Sequence, residues 1–401
     1  MEQTYFRKGF GLKGEIQGAL TDDYHSAVVD ELRARGYQIT VDDLTVRLAQ
    51  EFGFCYGVDR AVEYAYETRT KFPDRRIFLV GEIIHNPHVN QKLATMGIVI
   101  IARSAAGEFD FGDVGAGDVV ILPAFGVTRA DFERLRGIGC VLVDTTCGSV
   151  LNVWKRVESY AKDGFTAIIH GKYHHEETKA TASQVTQYPG GRYLVVRDMA
   201  EARLVCDFIE RGKGGAELHE RFKAASSPGF DPTRDLARVG IANQTTMLSM
   251  ESLAIAAELK RAMAARYGQG ELAAHFRSFD TICSATQDRQ DAVLKLLKDS
   301  VDIVVVIGGY NSSNTNHLAA LCAERLATYH VEDAACVDPV AGTIRHKPAG
   351  SQQEAVVRGW LPAGKVVVGV TAGASTPNNK VGEAVERIFA TRGVALGSVL
   401  A

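Results

Sequence analysis

The sequence of 401 residues contains no CxxC pair, no apolar run as long as a membrane span, and almost no net charge. Structural zinc sites usually take their ligands in close cysteine pairs, so zinc is disfavoured. With 45 basic and 48 acidic residues, the net charge of −3 gives no general electrostatic reason to bind nucleic acid or a membrane surface. The expected partners are therefore small molecules or proteins that are recognised locally.

Seven cysteines, an odd number without regular spacing, do not make the disulfide framework of a small secreted protein. The first residues, MEQTYFRKGFGLKGE, lack the apolar core of a signal peptide. We therefore expect a cytoplasmic location, or the plastid stroma if the chain comes from a plant or alga. The content of 46% hydrophobic and 23% charged residues is typical of a globular protein of two or three domains.

Short β-rich runs such as CVLVDTT, VDIVVVIGG and KVVVGVTAG alternate with helical segments along most of the chain. Continuous apolar strands between helices are typical of parallel sheets that are covered on both faces. The sequence therefore predicts an α/β fold with several lobes. The predicted parts are an N-terminal extension (1–47, with a helix over about 21–35), three α/β lobes (48–147, 148–279 and 280–401), and a surface insertion (211–235) in the second lobe.

Three cysteines share one context, because each follows an apolar stretch and precedes an amphipathic helix. They are Cys55 in EFGFCYGVDRAV, Cys147 in VDTTCGSVLNV and Cys283 in DTICSATQDRQ. Free N–H groups and the helix dipole favour a thiolate at a helix N-terminus, so we interpret the three as ligands of one metal site. Three thiolates leave one iron of a [4Fe–4S] cluster open as a Lewis acid. The remaining cysteines lie in patterns typical of buried residues: Cys140, Cys206, Cys322 and Cys336.

Polar clusters occur where predicted strands end, which is where ligands collect in parallel sheets. Residues 311–314 (NSSN) follow the strand VVVIGG and open a helix, and Ser375 and Thr376 follow a second strand in the same way. Backbone N–H groups, hydroxyls and amides at a helix start can bind phosphate. An ordinary helix cap is the alternative, but a cap needs only one such residue. Two loops of this kind suit a diphosphate.

Acid–base chemistry has candidates at other strand ends. His175 and Glu177 follow one predicted strand in HGKYHHEET, and His85 and His88 follow another in EIIHNPHVN. An imidazole and a carboxylate in such positions can transfer protons or hold an anionic group. Thr245 in NQTTM adds a hydroxyl that can orient a ligand. Exposed histidine and glutamate in loops are often only solvated, and that reading stays open for these residues.

Eight motifs in this order closely resemble those of the 4-hydroxy-3-methylbut-2-enyl diphosphate reductase family, also called LytB-type, over about residues 48–390. The family catalyses the last step of the non-mevalonate isoprenoid pathway, a reductive dehydroxylation that gives isopentenyl diphosphate and dimethylallyl diphosphate. The extension, the 211–235 insertion and a PAFG motif resemble the cyanobacterial and plant-plastid branch. The eight motifs are FGFCYGVDRAV, EIIHNPHVN, DTTCGSV, HGKYHHEET, NQTTM, TICSATQDRQ, GGYNSSNTNHL and GVTAGASTP.

The resemblance implies three α/β lobes in a pseudo-threefold arrangement around a central [4Fe–4S] cluster with one open iron. Its ligands match Cys55, Cys147 and Cys283, and the implied electron donor is ferredoxin. Glu177 matches the acid that protonates the substrate hydroxyl, and His175 and Thr245 match catalytic partners. The substrate-binding residues implied by the family are His85, His175, Thr245, Ser312, Ser313, Asn314 and Ser375.

Two positions depart from the pattern of the short bacterial members. Phe125 in PAFGV stands where those members carry a histidine that contacts the diphosphate, which puts one phosphate contact in doubt. Gly148 replaces the proline that commonly follows the second cluster cysteine. Two other functions remain open: an iron–sulfur hydro-lyase, which works without net electron flow, and a structural zinc-binding protein.

Overall fold

The computed structural model describes residues 4–105, 107–279 and 281–397. The chain forms two compact units, the first from the residues up to Lys8, Asp74–Gly81 and Ile98–Cys283, and the second from Gly9–Pro73, Glu82–Gly97 and the residues from Ser284 onward. Among the described helices, none combines the length and the apolar character that spanning a membrane requires.

The bounds of the strands and helices are given in chain order. The strands are β1 (Tyr5–Phe6), β2 (Gln38–Val41), β3 (Leu44–Leu48), β4 (Ile77–Val80), β5 (Ile98–Ile101), β6 (Val119–Leu122), β7 (Val141–Asp144), β8 (Thr166–His170), β9 (Tyr193–Val196), β10 (Val239–Asn243), β11 (Phe276–Ser278), β12 (Ile303–Ile307), β13 (Ala327–Val331), β14 (Val337–Asp338), β15 (Thr343–His346), β16 (Ala355–Arg358) and β17 (Val366–Ala372). The helices are α1 (Lys13–Tyr24), α2 (Ala27–Ala34), α3 (Tyr56–Lys71), α4 (Pro87–Thr95), α5 (Arg129–Ile138), α6 (Gly148–Lys162), α7 (Glu176–Val185), α8 (Met199–Arg211), α9 (Gly215–Phe222), α10 (Pro232–Asp235), α11 (Ser249–Tyr267), α12 (Leu272–His275), α13 (Ser284–Leu296), α14 (Ser313–Ala323) and α15 (Asn378–Ala390).

The first unit contains two parallel sheets. One has the strand order β1-β7-β6-β4-β5, and the other has the order β11-β10-β8-β9. Every residue of β4, β6, β7, β8 and β10 is buried, as expected for strands that are covered on both faces. The expected surface insertion at 211–235 contains α9 and α10 and buries Phe222 and Phe230 in a hydrophobic cluster with β8 and α11.

The second unit contains a sheet of order β13-β12-β17-β3-β2, parallel except for the edge pair β2 and β3, and a small antiparallel sheet of β14, β15 and β16. The predicted α/β class with parallel sheets is therefore confirmed. The division into three lobes and their pseudo-threefold arrangement stay predictions.

The N-terminal extension has more structure than the sequence indicated. The single helix predicted over residues 21–35 is wrong, because α1 ends at Tyr24 and α2 starts at Ala27. Ser26 separates the two helices, since its hydroxyl accepts a hydrogen bond from the Val29 N–H at 3.3 Å and so caps α2. The extension also supplies β1 to the first unit and β2 to the second.

Candidate active site

The three cysteines that were predicted as ligands each stand at the start of a helix. Cys55 is the N-cap residue of α3, Cys147 is the N-cap residue of α6, and Cys283 directly precedes α13. All three are partly accessible. Their surroundings suit thiolate ligands, because the free N–H groups of a first helical turn favour negative charge.

The other four cysteines are buried, as predicted. Burial raises the pKa of the Cys140 thiol to about 11 and the pKa of both Cys206 and Cys322 to about 12. Cys336 is 2% exposed. A thiol that is buried and protonated is a poor metal ligand, so accessibility separates the two groups of cysteines.

A hydrogen bond in the first unit joins Cys283 to the helix that Cys147 caps. Ser149, in the first turn of α6, donates a hydrogen bond from its hydroxyl to the Cys283 sulfur at 3.3 Å. Since Cys147 caps the same helix, the Cys283 sulfur lies at the helix end that Cys147 occupies. The segment before Cys283 is held by Thr281, whose hydroxyl accepts a hydrogen bond from the Asn243 N–H at 3.2 Å and donates one to the Asn243 side chain.

Glu177 and Thr245 meet in the first unit because β8 and β10 are adjacent parallel strands and both residues follow the ends of those strands. The Thr245 N–H donates to Glu177 Oε1 at 2.6 Å, and the Thr245 hydroxyl donates to Oε2 at 3.0 Å. The glutamate is 3% exposed and the threonine 6%. The pair therefore places a buried carboxyl group in a fixed orientation.

His175 precedes this carboxyl group as the N-cap residue of α7. Its Nδ1 accepts a hydrogen bond from the Glu177 N–H at 3.2 Å, which favours the neutral tautomer with its proton on Nε2. The ring of Phe125 packs edge-on against the His175 ring, with 6.5 Å between the centroids. Phe125 is buried and places an apolar ring beside His175.

In the second unit, the loop after β12 carries the predicted anion-binding residues. Ser312 caps α14 by accepting a hydrogen bond from the Thr315 N–H at 3.3 Å. Ser313 and Asn314 form the first turn, with 3% and 2% exposure. Within the described part of the chain, Ser313 Oγ and Asn314 Nδ2 are buried without a hydrogen-bond partner. Because buried polar groups are almost always paired, these two atoms indicate a ligand at the start of α14.

Ser375 lies beside this loop, since β17 and β12 are neighbouring parallel strands. Its hydroxyl donates to the His85 carbonyl oxygen at 3.1 Å and lies 3.4 Å from Ser312 Oγ. The adjacent Ala374 carbonyl accepts a hydrogen bond from the Cys55 N–H at 3.2 Å. The second unit therefore brings His85, Ser312, Ser375 and the backbone of Cys55 to one end of its sheet.

Close backbone packing explains the glycines at this end of the sheet. A β-carbon on Gly309 would lie 2.8 Å from the His85 carbonyl oxygen, and one on Gly373 would lie 1.9 Å from Thr315 Oγ1. Any side chain at either position would displace its neighbour. The glycines are therefore required for the loops to approach each other.

Further polar residues around the loop were not predicted from the sequence. Glu82 Oε2 accepts hydrogen bonds from His85 Nδ1 at 2.8 Å and from Asn311 Nδ2 at 2.9 Å, so it links the histidine to the loop. His330 Nε2 donates to the Gly308 carbonyl at 2.9 Å. The only sequence signal for Glu82 is its spacing of three residues from His85.

His88, the second histidine of EIIHNPHVN, has a different role. It lies 2.9 Å from Asp333, and this hydrogen bond is the main reason that the pKa of Asp333 is lowered. His88, an acid–base candidate in the sequence, is therefore engaged in an ion pair with Asp333.

The sequence and the structure were compared with known proteins. A profile of the LytB protein family matches residues 46–389. The 4-hydroxy-3-methylbut-2-enyl diphosphate reductase of Thermosynechococcus vestitus is 49% identical over 98% of this chain and 96% of its own length. The reductase of the same name from Gloeobacter violaceus is 50% identical over 98% of this chain and 94% of its own length.

Two solved structures are similar. The E-1-hydroxy-2-methyl-but-2-enyl-4-diphosphate reductase from Plasmodium falciparum superposes with a TM-score of 0.63 at 21% identity, covering 86% of this chain and 88% of its own, and supports the fold alone. A structure of (E)-4-hydroxy-3-methyl-but-2-enyl diphosphate reductase gives a TM-score of 0.51 at 27% identity, covering 87% of this chain and 99% of its own. The profile match over most of the chain and the relatives of nearly equal length establish that the chain belongs to the LytB protein family.

Proposed function

We propose that this chain is an iron–sulfur oxidoreductase that converts 4-hydroxy-3-methylbut-2-enyl diphosphate into isopentenyl diphosphate and dimethylallyl diphosphate. Relatives that are about half identical over nearly the whole chain carry this reductase name. The structural observation that carries the proposal is the pair of unpartnered buried atoms, Ser313 Oγ and Asn314 Nδ2, at the start of α14. They offer hydrogen bonds to an anion where the helix dipole also favours one.

The diphosphate is bound mainly by the end of the sheet in the second unit. The N–H groups of the first turn of α14, with the hydroxyls of Ser312, Ser313 and Ser375 and the amide of Asn314, supply neutral donors. His85 adds an imidazole donor, whose ring is held in place by its hydrogen bond to Glu82. The resemblance to the family adds His175 to the residues proposed to bind the diphosphate.

Glu177 supplies the proton that converts the leaving hydroxyl into water. The reaction consumes two electrons and two protons, breaks one C–O bond, and releases the oxygen as water while a C–H bond forms. Thr245 holds both carboxyl oxygens of Glu177 and orients the acid toward the substrate hydroxyl. The wall formed by Phe125 beside His175 limits the access of water.

Cys55, Cys147 and Cys283 are proposed as the thiolate ligands of a [4Fe–4S] cluster that keeps one iron free of protein ligands. Their position at helix starts and their partial exposure fit this donor set. When bound, the cluster supplies single electrons and a Lewis-acidic iron. The electrons are proposed to come from a ferredoxin, the donor implied by the cyanobacterial branch.

Turnover under anaerobic conditions tests the proposal. Protein purified without oxygen is incubated with 4-hydroxy-3-methylbut-2-enyl diphosphate, with and without a chemical reductant, and the products are identified by mass spectrometry. We expect two isomeric products that lack one oxygen atom, formed only with reductant. Loss of water from the substrate without any reductant would instead identify a hydro-lyase and contradict the proposal.

A further inference from the structure

The N-terminal strand β1 contacts the segment that leads to Cys147. It pairs in parallel with β7, and Tyr5 lies opposite Leu142 in the register. The Tyr5 hydroxyl donates a hydrogen bond to Asp144 Oδ2 at 2.6 Å. Arg7 Nε lies 3.4 Å from the same oxygen. Residues far from Cys147 in sequence therefore bind the last residue of β7.

Asp144 in turn holds the turn that ends at Cys147. Its second oxygen, Oδ1, accepts hydrogen bonds from the Thr146 N–H at 3.0 Å and from the Thr146 hydroxyl at 2.5 Å. The Thr145 hydroxyl donates to the Leu122 carbonyl at 2.6 Å, and the Cys147 N–H donates to the Ala124 carbonyl at 2.8 Å. One carboxylate thus links β1 to the residue that precedes the cysteine.

The Tyr5 hydrogen bond is important because Asp144 is only 6% exposed. A buried carboxylate is stable only when both oxygens have donors. The pKa of Tyr5 is raised well above its usual range, mainly by burial and next by the nearby Asp144. The phenol therefore keeps its proton and remains a donor. Without Tyr5, the Oδ2 atom would keep Arg7, whose side chain is 48% exposed and therefore forms a weaker, solvent-screened contact.

We propose that Tyr5 is a positioning residue for Cys147, acting through Asp144 to fix the turn that presents the sulfur at the N-terminus of α6. The inference rests on the proposed role of Cys147 as a cluster ligand. It gives the N-terminal extension a function in the first unit, because the strand that carries Tyr5 belongs to that extension.

The first test uses metal-free protein and hydrogen–deuterium exchange of the amides in residues 145–147. Tyr5→Phe removes only the hydroxyl and keeps the ring that packs edge-on against Phe132 with 5.6 Å between the centroids, so the fold is retained. We expect these amides to exchange about tenfold faster in the variant, since a hydrogen bond to a charged group is lost. Tyr66→Phe is the matched control, because Tyr66 also donates to an aspartate, Asp23, at 2.7 Å.

The control variant should leave exchange in residues 145–147 unchanged. Parental exchange rates in Tyr5→Phe would overturn the proposal. Asp144→Ala provides a second route to the same readout, because alanine offers no acceptor to Tyr5 or to Thr146. It should accelerate exchange at least as much as Tyr5→Phe, and parental rates there would also count against the inference.

The second test uses protein reconstituted with iron and sulfide. We expect Tyr5→Phe to release iron to a chelator several-fold faster than the parent and to change the electron paramagnetic resonance spectrum of the reduced cluster. Tyr66→Phe should match the parent in both. Equal release rates and equal spectra for Tyr5→Phe would overturn the positioning role. Failure of the parent itself to bind iron would refute the proposed function, whereas the exchange measurement would still report on the Tyr5 contact.

Discussion

At the scale of single residues, Glu177 is expected to be required for proton transfer. Glu177→Gln keeps an acceptor for the Thr245 N–H but removes the acidic proton. We expect kcat to fall at least about 100-fold, the usual contribution of a general acid, with unchanged iron content and visible spectrum. Glu133→Gln is the control, since Glu133 is exposed, pairs with Arg129 at 2.6 Å and should leave kcat near the parental value. Parental turnover in Glu177→Gln would exclude this role.

Gly148 offers a stabilising substitution next to Cys147. It is the first residue of α6, a β-carbon there would contact nothing within 4 Å, and Cys147 has φ −62° and ψ 143°, a conformation that proline accepts in the preceding residue. Gly148→Pro should therefore raise the free energy of unfolding by about 0.5–1 kcal/mol, because proline lowers the conformational entropy of the unfolded chain. Thermal unfolding of the metal-free protein measures this. Gly148→Ala should give a smaller gain, and a lower Tm for the proline variant would contradict the prediction.

His330 should make stability depend on pH. Burial lowers the pKa of His330 to about 4, so the native imidazole is neutral where the unfolded one, with a pKa near 6.5, is protonated. Between about pH 6.5 and 4 the unfolded state binds more protons, and stability falls as the pH falls through that window. His330→Gln keeps a donor but cannot titrate.

Urea unfolding of the metal-free protein at pH 6 and pH 5 tests the effect of His330. The parent should lose about 1 kcal/mol more than His330→Gln between these two values. His346, whose pKa is also lowered by burial, contributes equally to both proteins and cancels in the difference. An identical pH dependence for the two proteins would show that His330 does not titrate as described.

Residues with a local sequence signal could be predicted, and residues that depend on distant pairing could not. The contexts of Cys55, Cys147 and Cys283 are local, because each combines an apolar stretch with a helix start. By contrast, nothing near Asp144 in the sequence indicates that Tyr5 binds it across 139 positions. Such contacts depend on the order of the strands within a sheet, which the hydrophobic periodicity of the sequence does not determine.

At the scale of elements, the start of α14 is expected to bind the diphosphate through Ser313, whose hydroxyl makes no hydrogen bond to the described part of the chain. Ser313 Oγ has no partner among the described residues, so Ser313→Ala should change the free energy of unfolding by less than about 0.5 kcal/mol. The same change should raise KM about tenfold, because a hydrogen bond to a charged phosphate is lost.

Ser26→Ala is the control for Ser313→Ala, because it should affect stability and not KM. Ser26 caps α2 through the Val29 N–H, so its removal should cost about 1 kcal/mol of stability and leave KM unchanged. Steady-state kinetics and chemical unfolding of both variants give the comparison. An unchanged KM for Ser313→Ala would place the anion elsewhere.

The presence of most helices and strands could be predicted from the sequence. Which strands pair with each other in the sheets could not. Apolar runs indicated the central strands such as β12 and β17, because their burial on both faces excludes polar residues. The N-terminal extension was harder to read, since α1 has little apolar asymmetry and the break before α2 depends on one serine cap. The pairing of β3 with β17 could not be predicted, because more than 300 residues separate the two strands in the sequence.

At the scale of the whole molecule, the seven cysteines should divide cleanly in their effect on iron binding. We expect about four iron atoms per chain after anaerobic reconstitution of the parent. Replacement by alanine should abolish this content at Cys55, Cys147 or Cys283. Replacement of a buried cysteine should instead lower stability and leave the iron content unchanged. The buried cysteines are Cys140, Cys206, Cys322 and Cys336.

Iron and sulfide assays on the seven variants, with circular dichroism as the check on folding, complete that test. Loss of iron in a folded variant of a buried cysteine would contradict the assigned ligand set. Zinc in place of iron in the parent would support the structural alternative.

The pairing of β3 with β17 also sets the order of events during synthesis. Cys55 follows β3, and its N–H is bound to the carbonyl of Ala374, just beyond the end of β17. On the ribosome, the first cysteine therefore emerges long before the strand that gives it its final position. With the proposed ligand set, a cluster could be completed only after β17 has been synthesised, which would make its insertion a post-translational event.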